Sequence, residues 1–191
     1  MKLNNENVNQ LFTLAKSTIE NGVLQKSMDL PFAELKQQSP FNSMAATFVT
    51  LHLQQQLRGC IGTLEAHRSL YDDVVYNAYA AAFKDPRFSP VSALEIDDLN
   101  LEISILSEPE EITQCDNKAD LVEQLTPFKD GLIISDGVRR ATFLPSVWQQ
   151  LEDKHLFVEH LMRKAGIFSW SDSIQCSRYF VESYENDWRN I

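Results

Sequence analysis

The first apolar positions of the chain recur at the spacing of a helix. Near the N-terminus, apolar residues fall three or four positions apart, which places their side chains on one helical face: Val8, Leu11, Phe12, Ala15 and Ile19. Gly22 follows this run, at a position where a left-handed glycine often caps a helix. The pattern predicts an amphipathic helix that ends at Gly22.

The period then changes to two residues, which is typical of strands. Residues 47–53 (TFVTLHL) and 57–64 (LRGCIGTL) are separated by a short glutamine-rich segment, and this arrangement predicts a hairpin. The register that gathers the aliphatic side chains on one face pairs Leu53 with Leu57, Leu51 with Gly59, and Val49 with Ile61.

That register places polar side chains on the opposite face of the hairpin. Thr50 lies opposite Cys60, and His52 lies opposite Arg58. Arg58 and Cys60, two residues apart, share this face because side chains alternate along a strand. The hairpin therefore predicts a small polar constellation around a cysteine.

A second helix and a polar exit loop follow the hairpin. Ser69 with Asp72 resembles a capping box, and an apolar stripe follows it: Leu70, Val74, Ala78, Ala81 and Ala82. Proline disfavours helical geometry in the residue before it, so the helix must end before Pro86. The loop that follows carries Asp85 and Arg87.

The second half of the chain mixes strands and short helices. Alternating apolar residues predict a strand over 99–105, a short helix is expected over 120–125, and Asp136-Gly137 predicts a type I′ hairpin between 131–135 and 138–144. Asp153 and Gly166 bound a predicted helix over 154–165, and 179–184 predicts a final strand. We therefore expect one α+β domain over 1–191, with mixed or antiparallel sheets flanked by helices and a cleft between two unequal lobes. The smaller lobe is expected around 110–170.

Composition narrows the function classes. The net charge of −10 and pI near 4.8 disfavour charge-driven nucleic-acid binding, although a local basic patch leaves it open. We expect neither a membrane span nor a secretory signal, and therefore a cytoplasmic protein. The three cysteines, Cys60, Cys115 and Cys176, form no zinc-binding pattern, so free thiols are expected and no metal or cofactor is predicted.

The candidate chemistry concentrates in LRGCIG and the exit loop. Cys60 is a candidate nucleophile if Arg58 stabilises its thiolate, with His52 as a candidate base. Cysteine is equally typical of a small buried core residue. A histidine on a sheet face is more often a hydrogen-bonded or exposed residue than a base.

The glycines and the loop charges allow both a functional and a structural interpretation. Gly59 and Gly62 could admit a ligand, or they could allow close packing of another element. Asp85 and Arg87 could bind substrate, or they could fix the loop as an ion pair. Arg58, Cys60, Asp85 and Arg87 are expected around one cleft. The Asp136-Gly137 hairpin or the following helix is expected to form the opposite wall.

Four basic residues could bind phosphate or RNA, but charge runs of this size usually form a solvated face: Arg139, Arg140, Arg163 and Lys164. The three tryptophans are expected to pack apolar surface: Trp148, Trp170 and Trp188.

Several motifs in order resemble the AMMECR family, whose bacterial and archaeal members are called AmmeMemoRadiSam system protein A. The matching segments are LRGCIG (57–62), DPRF (85–88), LEISIL (101–106), GLII (131–134) and KAGI (164–167). The resemblance runs from about Leu11 to Tyr184. It implies a two-lobed α+β fold and an association with a MEMO-like protein and a radical SAM protein, without an established reaction.

The chain departs from this pattern at three positions. Ala141 stands where family members often have glycine, Ser146 where glutamine is expected, and Met162 where cysteine is common. None of these positions is assigned a required catalytic role.

Two functional hypotheses remain open. In the first, the protein is a non-catalytic binding module or accessory subunit that works with the MEMO-like and radical SAM proteins. In the second, it is an enzyme that acts on a small or nucleotide-like substrate, with Cys60 and Arg58 in an inter-lobe cleft. The binding residues would be Gly59, Gly62, His52, Asp85 and Arg87.

Overall fold

The chain folds into two compact units, each with its own sheet. The structure, a computed structural model, describes residues 3–25, 30 and 33–191. The first unit comprises residues 1–106 and 182–191, and the second comprises 107–181. Both contain helices and antiparallel strand pairs, so the α+β class predicted from the sequence is confirmed.

The first unit is a sheet with two long helices. Its helices are α1 (Asn5–Val23) and α2 (Leu70–Phe83). Its principal strands are β1 (Met44–Leu53), β2 (Gln56–Gly62) and β4 (Leu99–Leu106), with the two-residue β3 (Arg68–Ser69) beside β1. The sheet order is β2-β1-β4-β9, where β9 (Val181–Asp187) is the last strand of the chain. Strand β2 is therefore an edge strand.

The β1–β2 hairpin confirms part of the predicted register and corrects the rest. Val49 pairs with Ile61, Thr50 with Cys60, and Leu51 with Gly59, as the aliphatic pattern predicts. Beyond Leu51 the register shifts, so His52 pairs with Leu57 and Leu53 with Gln56.

The turn geometry explains this shift. Gln54 and Gln55 both have positive φ, at 52° and 65°, as the two central residues of a tight turn require. The tight turn leaves Arg58 as the extra residue of a β-bulge between the pairs at Leu51 and His52. The predicted pairing of His52 with Arg58 was therefore wrong.

The α1 and α2 helices pack closely, and this packing gives Gly22 a different role from the predicted one. Helix α1 continues past Gly22 to Val23, so Gly22 is not its C-cap. A Cβ atom at Gly22 would lie 2.3 Å from the ring of Phe83 at the end of α2. The glycine therefore permits a helix crossing, which its position in the sequence alone does not reveal.

Helix α2 begins and ends as its sequence predicts. Ser69 caps it by accepting a hydrogen bond from the Asp72 N–H, and the helix ends at Phe83, before Pro86. Its apolar stripe is buried against the sheet and α1, in a core that also includes Leu11, Val49 and Leu101. The hydrophobic period thus identifies the buried face correctly.

The second unit has a smaller sheet and two helices. Its helices are α3 (Lys118–Gln124) and α4 (Lys154–Ala165). Its strands are β5 (Glu110–Glu111), β6 (Gly131–Ser135), β7 (Arg140–Phe143) and β8 (Gln175–Tyr179), in the order β5-β8-β6-β7. The predicted single final strand is in fact two strands, β8 and β9.

Aromatic stacking anchors the core of the second unit. The rings of Trp148 and Phe157 lie parallel with centroids 3.6 Å apart, and the Trp148 indole N–H donates to the Asp130 carbonyl at 2.7 Å. Trp148 and Trp188 are buried and Trp170 is half-buried. Helix α4 has the predicted caps, with Asp153 at its start and the left-handed Gly166 at its end.

The Asp136-Gly137 hairpin forms with a different turn from the predicted one. Only Gly137 has positive φ, at 88°, and the Asp136 N–H donates to the Arg139 carbonyl. The central residues are therefore Gly137 and Val138. The Asp136 carboxylate accepts hydrogen bonds from the Val138 and Arg139 N–H groups and holds Asp136 at the flank of the turn.

Candidate functional site

The free edge of strand β2 at Cys60 is closed by two side chains from the loop after α2. The Asp85 carboxylate accepts the Cys60 N–H at 2.9 Å, and Arg87 donates to the Cys60 carbonyl at 3.2 Å. An edge strand otherwise exposes such backbone groups to solvent or to another chain. Asp85 and Arg87 therefore occupy the place of a neighbouring strand, and we call this arrangement the edge clasp.

The edge clasp is held by a bidentate ion pair. Arg87 donates to both Asp85 oxygens, at 2.9 and 2.7 Å, a geometry that gives charge-assisted bonds their strength. These hydrogen bonds hold the pKa of Asp85 well below its usual range, although burial of the carboxylate opposes the shift. Asp85 is 4 % exposed, whereas Arg87 keeps one side open to solvent.

Arg58 is bonded to a different part of the same loop. Its Nε donates to Glu95 Oε1 at 2.8 Å, and its Nη2 reaches Glu95 Oε2 and the Pro90 carbonyl, each at 3.3 Å. Arg58 is 9 % exposed. Its guanidinium therefore ties the β2 bulge to the loop after α2.

Glu95, which accepts the hydrogen bonds from Arg58, also binds a neighbouring serine in the loop after α2. Its carboxylate also accepts the N–H and hydroxyl of Ser92. The hydrogen bonds from Arg58 are the main cause that lowers the pKa of Glu95 to about 2. Sequence analysis missed Glu95, because only the tertiary structure brings it to Arg58, 37 positions earlier in the chain.

The lowered pKa of Glu95 predicts acid sensitivity. A carboxylate with a depressed pKa stabilises the fold above its unfolded-state pKa and loses that contribution as the pH falls towards its folded-state pKa. We expect Glu95→Gln to cost about 2 kcal/mol of unfolding free energy at pH 6, with the difference from the unaltered protein shrinking between pH 5 and pH 2.5. Urea denaturation across this range measures it.

The matched control for this experiment is Glu123→Gln, on the exposed surface of α3. It is expected to leave the stability and its pH dependence unchanged, because substitutions at exposed positions usually have small effects. A Glu95→Gln variant whose deficit stays constant from pH 6 to pH 2.5 would contradict the assigned role of the ion pair.

The Cys60 thiol is half-buried and has one polar partner. Cys60 Sγ lies 3.3 Å from the Thr50 hydroxyl on the neighbouring strand. The backbone of Cys60 is bonded to Asp85 and Arg87, whereas the guanidinium of Arg58 is bonded to Glu95. The structure thus brings Cys60, Asp85 and Arg87 into direct contact, and it gives Arg58 and His52 other neighbours.

The other two thiols lie together in the second unit. Burial raises the pKa of Cys176 to about 12, and burial also raises the pKa of Cys115, which lies beside it. A raised pKa lowers the thiolate fraction at neutral pH and therefore the rate of alkylation. The labelling rate of Cys60 is therefore compared with that of a small free thiol rather than with this slowly reacting pair.

We expect Cys60 in the native protein to react with iodoacetamide at pH 7.5 no faster than N-acetylcysteine, because the residue is half-buried and the Thr50 hydroxyl donates to its sulfur. Cys176 is expected to remain unlabelled until the protein unfolds. Mass spectrometry of timed digests gives each rate. A Cys60 rate about tenfold above that of N-acetylcysteine would indicate an activated thiolate and would restore Cys60 as a candidate nucleophile.

Both glycines of LRGCIG lie against packed neighbours. A Cβ atom at Gly59 would lie 2.2 Å from the Ala81 carbonyl oxygen of α2, and one at Gly62 would lie 2.2 Å from the Phe48 ring. Real Cβ atoms do not approach other atoms so closely. Gly59 allows α2 to approach the strand backbone, and Gly62 allows an aromatic ring to cover the sheet.

A buried polar cluster next to this region was missed by sequence analysis. The Asp73 carboxylate accepts hydrogen bonds from the Thr47 N–H and hydroxyl, the Thr63 hydroxyl, and Asn77, at 2.8 to 3.0 Å, and from Arg68 at 3.1 Å. Asp73 and Asn77 are fully buried. The signal was their helical spacing inside the apolar stripe of α2, where two polar residues require buried partners.

Two of the basic residues join the β6–β7 hairpin to the end of α4. Arg139 pairs with Asp136 and donates to the Gly166 carbonyl, and Lys164 donates to the Thr142 carbonyl. Both side chains therefore hold the β6–β7 hairpin and the end of α4 in place. Arg163 is exposed on α4.

The three departures from the family pattern lie in the second unit. Ala141 pairs with Ile134 in the hairpin, Ser146 is exposed in a 3₁₀ turn, and Met162 is buried on α4. The three positions thus differ in their surroundings.

Comparisons with known proteins agree with the resemblance seen in the motifs. The AMMECR1 family model matches residues 12–184. A protein from Thermotoga maritima is 39% identical over 148 residues, covering 76% of this chain and 80% of the relative. A protein from Aquifex aeolicus is 33% identical over 165 residues, covering 84% and 81%.

A solved structure shows the same fold. The crystal structure of an uncharacterized protein from Pyrococcus horikoshii matches with a TM-score of 0.78 at 26% identity, over 98% of this chain and 95% of the other. The chain belongs to the AMMECR1 family. No helix in the described part of the chain is long and apolar enough to cross a membrane.

Proposed function

We propose that this protein is a cytoplasmic, non-catalytic binding module of the AmmeMemoRadiSam type, which works as an accessory subunit with a MEMO-like protein and a radical SAM protein. The observation that carries the proposal is that the charged candidate residues form their hydrogen bonds with other parts of the fold. Arg58 is bonded to Glu95 and Pro90, and Asp85 to Cys60 and Arg87.

These bonds leave little of the motif for chemistry on a substrate. A catalytic arginine or carboxylate has to direct donors or lone pairs at a reacting group. Arg58 directs its Nε and Nη2 at Glu95 and Pro90. Asp85 directs its two oxygens at Arg87 and the Cys60 N–H. Both Arg58 and Asp85 are buried. This arrangement supports a structural role for LRGCIG, in which the motif shapes and closes the sheet edge of a recognition module.

One observation favours the alternative enzyme hypothesis. Cys60 is half-buried rather than fully buried, and the partly exposed side chain of Arg87 donates to its carbonyl. In that alternative, Cys60 is the candidate nucleophile towards a small or nucleotide-like substrate, and Arg87 takes the place of Arg58, which is bonded to Glu95.

The test is reconstitution with the MEMO-like and radical SAM proteins of the same organism. We expect this chain to co-elute with at least one of them in size-exclusion chromatography, and Cys60→Ser to leave the complex unchanged. Cys115→Ser is the matched control, because it alters a second thiol in the other unit. Failure to bind either protein would remove the accessory-subunit proposal.

The same preparation tests the enzyme alternative. The protein is incubated with a filtered small-molecule extract, and intact mass is recorded before and after alkylation of Cys60. A binding module is expected to show no covalent adduct. An adduct that Cys60→Ser abolishes and Cys115→Ser retains would favour the enzyme.

A further inference from the structure

A groove on the second unit has features of a peptide-binding site. It lies between the C-terminal half of α4 and the segment that follows Gly166, and its volume is about 310 Å³. We call it the α4 groove. Its lining includes Glu159, Met162, Arg163, Ile167, Phe168 and Trp170.

The groove has an apolar floor and an exposed aromatic rim. Met162 and Ile167 are buried and Trp170 is half-buried, whereas Phe168 is 84 % exposed. A single exposed apolar residue needs no explanation. Here, however, the phenyl ring adjoins a concavity with a second aromatic residue, and aromatic side chains beside an apolar pocket are typical anchors of protein interfaces.

The lining of the groove carries two cations and one carboxylate. Lys118 and Glu159 pair with each other at 2.7 Å, so their charges balance. The hydrogen bond from Lys118 lowers the pKa of the Glu159 carboxylate, and the exposed Arg163 guanidinium also acts on this carboxylate and lowers its pKa. The groove therefore carries a net positive charge on a protein whose overall charge is −10.

This combination selects one class of occupant. An apolar side chain would fill the concavity against Phe168 and Trp170, while a carboxylate next to it in sequence would pair with Arg163. A nucleic acid or an anionic membrane would need several cations rather than one, and the overall negative charge of the chain would repel both.

We propose that the α4 groove binds a short segment of a partner protein in which an aromatic side chain is flanked by carboxylates. This inference rests on the proposed binding function and deepens it by naming the surface and the chemistry of the partner. Phe168 and Trp170 hold the aromatic side chain, and Arg163 selects the acidic flank.

Three capped pentapeptides test the proposal with the full chain. The first has phenylalanine between two pairs of aspartates, the second has phenylalanine between two pairs of lysines, and the third replaces the phenylalanine of the first with serine. Binding is followed by ¹⁵N–¹H chemical shifts. We expect the acidic aromatic peptide to bind at about millimolar affinity and to shift the signals of Phe168, Ser169 and the Trp170 indole.

Variants separate the aromatic and charge contributions. Phe168→Ser is expected to weaken binding about tenfold, and Arg163→Glu to reverse the preference towards the lysine peptide. Val138→Ser is the control, because Val138 is 93 % exposed in the same unit but does not line the groove. It should leave the affinity unchanged.

The outcomes distinguish this proposal from the proposed function. Three results would overturn the groove proposal: chemical-shift changes only at residues outside the groove, equal binding of the acidic and basic peptides, or unchanged binding by Phe168→Ser. If the MEMO-like or radical SAM protein binds Phe168→Ser as tightly as it binds the unaltered chain, the binding function stands and the groove proposal is wrong. If that complex fails even with the unaltered chain, the proposed function fails independently of the peptide result.

Discussion

Replacing Asp73 with alanine is expected to lower the free energy of unfolding by about 4 kcal/mol. The carboxylate accepts five hydrogen bonds in the interior of the first unit, from Thr47 twice and from Thr63, Asn77 and Arg68. Removing it leaves buried donors without an acceptor and Arg68 without its counterion. Such losses cost the full desolvation penalty rather than the small net value of a hydrogen bond.

Denaturant unfolding of Asp73→Ala beside Asp72→Ala measures this effect. Asp72 is the next residue towards the N-terminus on the same helix. Its carboxylate is about half-exposed and pairs with Lys36, so its replacement is expected to cost about 1 kcal/mol or less. Equal effects of the two substitutions would show that the buried cluster does not hold α2 on the sheet.

Replacing Gly59 with valine is expected to destabilise the first unit by about 3 kcal/mol, at the upper end of ordinary overpacking. The new Cβ would lie 2.2 Å from the backbone oxygen of Ala81, so either the strand or α2 has to move. Thermal unfolding followed by circular dichroism measures the change.

Gly62→Ala is the informative companion to this substitution. Its Cβ would lie 2.2 Å from Cγ and Cδ1 at the base of the Phe48 ring, so this half-buried side chain, rather than the backbone, has to shift, and we expect a cost of about 1 kcal/mol. A folded Gly59→Val protein with unchanged melting but lost partner binding would contradict the packing role. It would place the glycine in the binding site instead.

These expectations change how the LRGCIG motif is interpreted. Its residues are rich in apparent chemistry, yet three of them have a structural role in the fold. Gly59 admits α2, Arg58 ties the bulge to Glu95, and the Cys60 backbone receives the edge clasp. Closing an edge strand in this way also protects it from pairing with other chains. The polar and glycine residues of such a motif can therefore be explained by the contacts that the fold requires.

The long elements and the fold class could be predicted from the sequence, because local physical rules control them. The period of the apolar residues identified α1, α2 and β4. Capping chemistry placed the ends of α2 and α4, since Ser69, Asp153 and Gly166 act on backbone groups within their own turns. The order of motifs also indicated the family, which the match over residues 12–184 confirms.

The candidate site could be predicted only in part. The contact of Asp85 and Arg87 with Cys60 is consistent with the short chain distance between them. The placement of His52 opposite Arg58 failed, because a two-residue turn with a bulge satisfies the same aliphatic pattern as the longer turn assumed from the sequence.

The sequence by itself determined the features that depend on residues near each other in the chain. These are the helical and strand periods, the helix caps, and the presence of a hairpin at Asp136-Gly137. The tertiary structure decided the pairing of Arg58 with Glu95, the partners of Asp73, and the approach of α2 to Gly59. The physical reason is that a buried charge or a close backbone approach depends on which distant segment packs there. Many alternative packings are compatible with one local pattern, and only the folded chain selects among them.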